Sequence, residues 1–391
     1  MIWSSMNPLM LHELHHGLGA SFGELNGAQI VKDYGDPRAE HAALRETAGV
    51  VDLSFRSRIC LVGADRARYL HGQVTNDVKK LHVGEGCYSA ITTAKGKMES
   101  DLNILALADE LLLDFEPGLT DKISQRLEKF IVADDVQIVD AAPHYGLLSV
   151  QGPQAAEVVR ALGLFTDLPA KILDSVKISD ATLGEIYLVN HARLLSFCSS
   201  RGNEAQIKDE SEPPYVGCYN SGFDLFVPNN SLGAVADKLI FAAKQIGGRA
   251  AGWQAFETAR IEAGIPRFGA DMDESNIPLE CGIESRAIVY NKGCYIGQEV
   301  INRVHSVGHV NRELRALRLA TDLEPLPKKG DKLFHAGKET GYVTSAVRSP
   351  VLDANIALGY VRREANQIGN ELALHTMAGE SPAKIVELPF V

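Results

Sequence analysis

The octapeptide Lys292-Gly293-Cys294-Tyr295-Ile296-Gly297-Gln298-Glu299 brings an ammonium, a thiol and a phenol together. Its two glycines let backbone approach backbone or a ligand closely. A lysine beside a cysteine lowers the thiol pKa, and an exposed Cys294 would then be a nucleophile or a redox centre. Packed among apolar groups, the same cysteine would be inert. A second stretch, Gly72-Gln73-Val74-Thr75-Asn76-Asp77-Val78, ends a short helical run. A carboxylate there could project into a cleft, accept hydrogen bonds from ring or amine N–H groups, or stabilise a developing cation. The same spacing suits an Asx-turn or a helix cap. Ala94-Lys95-Gly96-Lys97-Met98 reads as a hairpin turn with solvated lysines, or as a source of cations for an anionic ligand tail. The segment from Trp253 to Gly264 reads as a short helix with Glu257, Arg260 and Glu262, either a solvated charged face or one that offers Arg260 to a ligand.

Other patterns lead elsewhere. His12-Glu13-Leu14-His15-His16 matches the metalloprotease spacing H-E-x-x-H, which puts two histidines on one helical face. Gly17 and Gly19 would end that helix at once, and no strand precedes it to place a third ligand. Gly17 to Gly23 misses the dinucleotide-binding spacing by one residue and follows no strand. Six cysteines stand far apart without Cys-x-x-Cys, so neither a disulfide framework nor a zinc site is expected and no metal is assigned. Lys and Arg number 39 against 50 Asp and Glu, a formal charge of −11, which argues against a broad nucleic-acid interface. No apolar run approaches the ~20 residues of a membrane span, and the first ten residues lack the basic and apolar regions of a signal peptide. A reduced, cytoplasmic chain is the expectation.

The elements that must position these residues follow from periodicity. Ser57 to Val62, Cys87 to Thr92, Ser100 to Leu107, Glu110 to Phe115, Val136 to Asp140 and Gly146 to Val150 read as strands. Thr120 is placed as the N-cap of a helix with Ile123, Leu127, Phe130 and Ile131 on one stripe. Pro153 opens another helix, which Gly163 closes. Leu232, Val235, Ala236, Leu239, Ile240, Ala243 and Ile246 fall at helical spacing before Gly247-Gly248. Ser199 to Pro214 reads as a surface loop. Beyond about residue 308, strand patterns recur at Glu313 to Leu319, Tyr342 to Val347, Ile356 to Val361, Leu372 to Thr376 and Ala383 to Leu388, as in a separate β domain. The fold class is α+β followed by a small barrel or sandwich.

The octapeptide resembles the signature of YgfZ-type folate-binding proteins, relatives of the glycine-cleavage T-protein (aminomethyltransferase). Gly72 to Val78 and Ala94 to Met98 are similar to the same proteins. Pro8 to Ala20, Gln151-Gly152-Pro153, Gly222 to Pro228, Ile261 to Gly264, Gly341 to Ser345, Gly359-Tyr360-Val361 and Leu388 to Val391 resemble the wider family. The resemblance implies a ring of three subdomains around a tetrahydrofolate pocket: roughly 1–50 plus 141–308, then 51–140, then an antiparallel barrel over 309–391. It puts Asp77 against the folate's reactive nitrogens, and Arg260 and Glu262 in a helix lining the pocket. Tyr295 and Lys292 join them as binding residues, and Cys294 joins Asp77 as a catalytic candidate.

Three departures from the aminomethyltransferase pattern stand out. Asn220 replaces a pterin-holding Glu, Phe256 replaces a pocket Arg, and Lys-Gly-Asp-Phe-Ile-Gly becomes Lys292 to Gly297 with a cysteine. They point to a tetrahydrofolate-binding accessory protein for iron–sulfur cluster assembly or repair, with iron–sulfur client proteins as partners. The alternative is an aminomethyltransferase that moves a methylene group from an aminomethyl-lipoyl carrier protein to tetrahydrofolate.

Overall fold

The computed structural model describes residues 7–194 and 221–391. A two-stranded sheet, two larger sheets and a barrel carry the strands. A six-stranded sheet has the order Ser175–Asp180, Gly184–Asn190, Gly222–Pro228, Tyr145–Gln151, Gly49–Asp52, Arg249–Ala250. Its pairings are antiparallel except the last, which is parallel. A five-stranded antiparallel sheet has the order Gly86–Thr92, Met98–Ala106, Glu110–Phe115, Ser57–Val62, Gln137–Asp140. The C-terminal strands close a six-stranded antiparallel barrel, Arg312–Leu319 to Gly379–Val386. The α+β class and the closed C-terminal barrel are as expected. Glu110–Phe115 and Ser57–Val62 have the expected ends, and the other strands named from the sequence appear with ends shifted by a few residues. The hairpins Ser21–Leu25/Ala28–Asp33 and Ser175–Asp180/Gly184–Asn190 were not expected, nor were the short strands Gly49–Asp52 and Lys332–His335.

Helix Leu232–Gln245 buries the expected stripe against the six-stranded sheet, where Leu232, Val235, Leu239 and Ala243 are fully buried. The contact needs a glycine beneath it: a Cβ on Gly146 would stand 2.3 Å from Leu232. Helix Thr120–Glu128 begins one residue earlier than expected, with Leu119 as N-cap and no capping side chain. The Thr120 hydroxyl instead donates to Ser57, 2.9 Å away, because a strand end lies within reach. The helix after Pro153 is Ala155–Arg160, with Gln154 rather than proline at its start. The expected surface loop Ser199 to Pro214 lies outside the described residues, as do Cys198, Cys218 and Asn220.

One connection sets the functional helix. Helix Pro37–Glu46 starts at Asp36, whose carboxylate accepts from Ala39 N at 3.0 Å. Its Glu40 is buried and accepts from Tyr34 N (2.7 Å) and Gly252 N (2.8 Å). That second bond ties down the entry to helix Trp253–Glu262. Gly252 is confined to glycine because a Cβ would lie 2.4 Å from Lys32 O. Two of the three histidines of the N-terminal helix His12–Gly17 are committed locally: His15 Nε2 lies 2.8 Å from buried Asp52, and His12 Nδ1 lies 2.9 Å from Gln29 Oε1.

Candidate functional site

A cleft of about 320 Å³ lies against one face of the five-stranded sheet. Tyr88, Asp101, Asn103 and Glu116 line it from the sheet side, and Trp253, Phe256, Arg260 and Arg267 from the helix Trp253–Glu262 and the segment after it. The hairpin register explains the grouping. Tyr88 pairs with Asn103 and Ala90 with Asp101, so all four side chains share one face. Alternation sends Leu102 and Ile104 to the opposite face, into a fully apolar core.

Asp101 is the carboxylate with room to act. The Tyr88 hydroxyl donates to its Oδ2 at 2.8 Å, while buried Oδ1 has no hydrogen-bond partner. Burial and then the Glu116 carboxylate push its pKa above the ordinary carboxylate range, against the pull of the Tyr88 hydrogen bond, Arg56 and Arg286. Arg286 also sits 4.4 Å from the Tyr88 ring centre, a cation–π contact. Across the cleft, Trp253 and Phe256 stack at 5.5 Å with planes 23° apart, and Arg267 lies 5.3 Å from the indole centre. Phe256, where a pocket arginine was expected from the family pattern, thus supplies a flat apolar wall.

Behind this face runs a continuous chain of alternating charges. Asp224 meets Arg193 at 2.6 Å, Arg193 meets Asp114 at 2.9 Å, and Asp114 meets Arg56 at 2.8 Å. Arg56 meets Glu116 at 2.6 Å, Glu116 meets Arg267 at 2.9 Å, and Arg267 meets Glu257 at 3.4 Å. Glu257 and Asp271 both pair with Arg260. Burial disfavours the charges of Asp114, Asp224, Glu257 and the four arginines, yet neighbours of opposite sign override it. Asp114 is held well below the usual carboxylate range by Arg56 and Arg193, and Asp224 and Glu257 are lowered in the same way. His191, 2.8 Å from Asp224, is kept below its ordinary value by burial and by Arg193. Such a wall fixes its own side chains and presents oriented donors to whatever enters.

The residues singled out from the sequence divide between this cleft and its surroundings. Arg260 lines the cleft, as expected, but is 3% exposed and locked by its two carboxylates and by Ser345 Oγ at 2.9 Å. Glu262 does not face it. Residues two apart on a helix point roughly 200° apart, so the two cannot share a face. Glu262 is fully buried on the other side, against His41 Nε2 at 2.8 Å and the Ser349 hydroxyl. Asp77 is not among the residues lining the cleft; its neighbour Asn76 is. Asp77 sits beside it, 3.2 Å from His71 Nδ1 and 3.2 Å from Lys80 Nζ. The cleft is lined instead by two other carboxylates, Asp101 and Glu116, of which Asp101 keeps an unpartnered oxygen.

The octapeptide packs beside that loop. Lys292 Nζ donates to the carbonyls of His71, Val74 and Asn76, each at 2.7 Å, so it clamps the turn. Burial lowers its pKa to about 8, with Asp77 opposing. Its ammonium is thus directed at three carbonyls of that turn. Tyr295 is a core residue, 7% exposed, whose buried hydroxyl has no hydrogen-bond partner and whose pKa burial raises to about 12. Cys294 is the one exposed cysteine among the described residues. The close approach expected of the glycines is present at Gly297, with φ of 90° and space for a Cβ only 2.6 Å from Thr93 O.

Comparisons with known proteins agree with this architecture. The GCVT N-terminal domain matches residues 11–216 and 214–292, and the glycine cleavage T-protein C-terminal barrel domain matches 312–391. The chain belongs to the glycine-cleavage T-protein family. It is 28% identical over 381 residues to an aminomethyltransferase of Halalkalibacterium halodurans, covering 97% of this chain and 96% of the relative. It is 27% identical to one from Listeria monocytogenes over the same shares of both chains. The crystal structure of the glycine cleavage system aminomethyltransferase T from Bartonella henselae superposes with a TM-score of 0.83, at 23% identity, over 99% of this chain and 98% of that one. The likeness establishes the fold.

Proposed function

We propose that the cleft binds the pterin head of a tetrahydrofolate and that the chain transfers a one-carbon unit to it, as an aminomethyltransferase does. The observation that carries the reading is Asp101: a buried carboxyl of raised pKa, anchored through one oxygen by Tyr88, with the other oxygen unpartnered. The site fits a flat, hydrogen-bonding head group. Small-molecule sites run from roughly 300 to 1,000 Å³, so 320 Å³ holds a bicyclic head and leaves an acidic tail outside.

Tetrahydrofolate supplies the ring nitrogens that accept a one-carbon unit. Asp101 orients that face by accepting hydrogen bonds at Oδ1, and its negative charge stabilises positive charge developing on the transferred carbon. Tyr88 holds the carboxyl in place. Trp253 and Phe256 give the apolar surface on which a flat ring rests. An aminomethyl-lipoyl carrier protein is the donor partner in this reading.

The test is single-turnover formation of methylene-tetrahydrofolate from loaded carrier, with Trp253 fluorescence reporting folate binding. Asp101→Asn should lower the rate on the order of 10²- to 10⁴-fold, and Asp77→Asn should leave it nearly unchanged. Full activity in Asp101→Asn would remove this residue and the reading with it. A second reading, the YgfZ-like accessory role in iron–sulfur enzyme maintenance, draws support from Cys294, exposed outside the cleft lining. In a strain lacking the protein, wild type but not Cys294→Ala should then restore iron–sulfur enzyme activity.

A further inference from the structure

Arg56, Arg193, Arg260, Arg267 and Arg286 all line the cleft. The first four each pair with two carboxylates. Arg286 has no ion pair and no side-chain hydrogen bond among the described residues. We propose, on the folate reading of the cleft, that Arg286 receives the carboxylate tail of the ligand, and so makes the site select a folate over an uncharged analogue of the same shape.

The loop Gly72 to Val78 builds the position of Arg286. Asn76 Nδ2 donates to the carbonyls of Tyr88 (2.8 Å) and Arg286 (3.1 Å). The buried Thr75 hydroxyl donates to Ala287 O at 2.6 Å, and Thr75 O accepts from Val289 N at 3.1 Å. These bonds fasten the short helix Glu284–Ala287 to strand Gly86–Thr92, where the arginine lies over the Tyr88 ring. Stacking uses the flat face of a guanidinium, whereas its five N–H donors radiate in the plane. The contact therefore fixes the plane and leaves both two-donor edges open, and either edge can meet the two oxygens of a carboxylate. Arg286 is half-buried, and none of its nitrogens is both enclosed and unpartnered, so its idle donors face water.

Tyr88 joins the two ends of the site. Its hydroxyl donates to Asp101 Oδ2 at 2.8 Å, and its face carries Arg286, 4.4 Å from the ring centre. Arg286 is near enough to draw the Asp101 pKa down against its burial, yet the two form no ion pair. A ligand that sets ring nitrogens on Asp101 thus has a single side-chain ring between them and the free guanidinium. The cleft of about 320 Å³ holds the head and sends the tail outward, where a carboxylate meets a cation with no partner of its own.

The experiment titrates the full chain with tetrahydrofolate and with its diamide, in which both tail carboxylates are amides, following Trp253 fluorescence. Wild type should bind tetrahydrofolate more tightly than the diamide. Arg286→Gln should weaken tetrahydrofolate on the order of ten-fold and leave the diamide within about two-fold of wild type. Arg286→Lys, which keeps the charge and loses the planar fork, should fall between the two. An equal loss for both ligands would show that Arg286 acts through Asp101 or the fold, and would overturn the proposal. Unchanged tetrahydrofolate affinity in Arg286→Gln would overturn it as well. Diamide bound by wild type with no discrimination at Arg286 removes this inference alone; failure of both ligands to bind wild type removes the folate reading and the inference together.

Discussion

The C-terminal barrel and the cleft wall are both interiors, but opposite forces hold them together. The barrel core is mainly apolar: Leu317, Leu333, Val343, Ala357, Val361, Leu374 and Ile385 are fully buried there. Its stability comes from area removed from water, about 25 cal/mol per Å². The cleft wall instead buries Arg56, Asp114, Glu116, Arg193, Asp224 and Arg260 in one chain of ion pairs. Such pairs gain little over well-packed apolar side chains, because desolvation offsets most of their attraction. Their persistence makes sense at a site that needs oriented charge. The barrel could be repacked with other apolar side chains of similar volume, whereas the cleft wall depends on each neighbour keeping its charge.

Four variants would break or sharpen this contrast. Arg56→Ala has the largest expected effect, a loss of ~3–5 kcal/mol, because buried Asp114 and Glu116 would each lose one of two arginine partners and the chain would be cut between them. Chemical denaturation measures it, and a loss under ~1 kcal/mol would mean the chain is not a cooperative unit. Leu374→Ala in the barrel should cost ~2–5 kcal/mol through transfer and cavity terms, with no change in folate affinity measured by titration. Asp101→Asn should move stability the other way. A carboxyl whose folded pKa is raised contributes stability at acid pH that is lost as pH rises through the raised value. The variant does not ionise, so its melting temperature should exceed wild type at neutral pH, and the gap should close towards pH 4. A gap that is constant with pH would show that burial does not shift this group. Cys294→Ala should change stability by less than ~0.5 kcal/mol, since the side chain is exposed; a larger loss would place the thiol in packing.

The sequence was read well where one face of an element is simply dry. The stripe on Leu232–Gln245 and the strands Ser57–Val62 and Glu110–Phe115 follow from periodicity alone. It was read poorly where a polar face is also buried. Glu99, Asp101 and Asn103 alternate with Ser100, Leu102 and Ile104, the pattern of an ordinary strand with one face in water. Asp114 and Glu116 alternate in the same way beside Leu113 and Phe115. The loop carboxylate Asp77 stands out in such a sequence, because loops are where projecting acids are expected. The family resemblance puts Arg260 and Glu262 on one pocket-lining helix, although helical geometry separates their side chains.

Residue order by itself determined the alternations and stripes, the glycines at tight approaches and the separate barrel, because these depend on chain neighbours and on the difference between two faces. Only the tertiary structure decided that the polar face of Met98–Ala106 looks into a cleft covered by helix Trp253–Glu262, and that four arginines and five acids from distant segments join there. Alternation reports that one face is polar; what covers that face is set by segments far away in the chain.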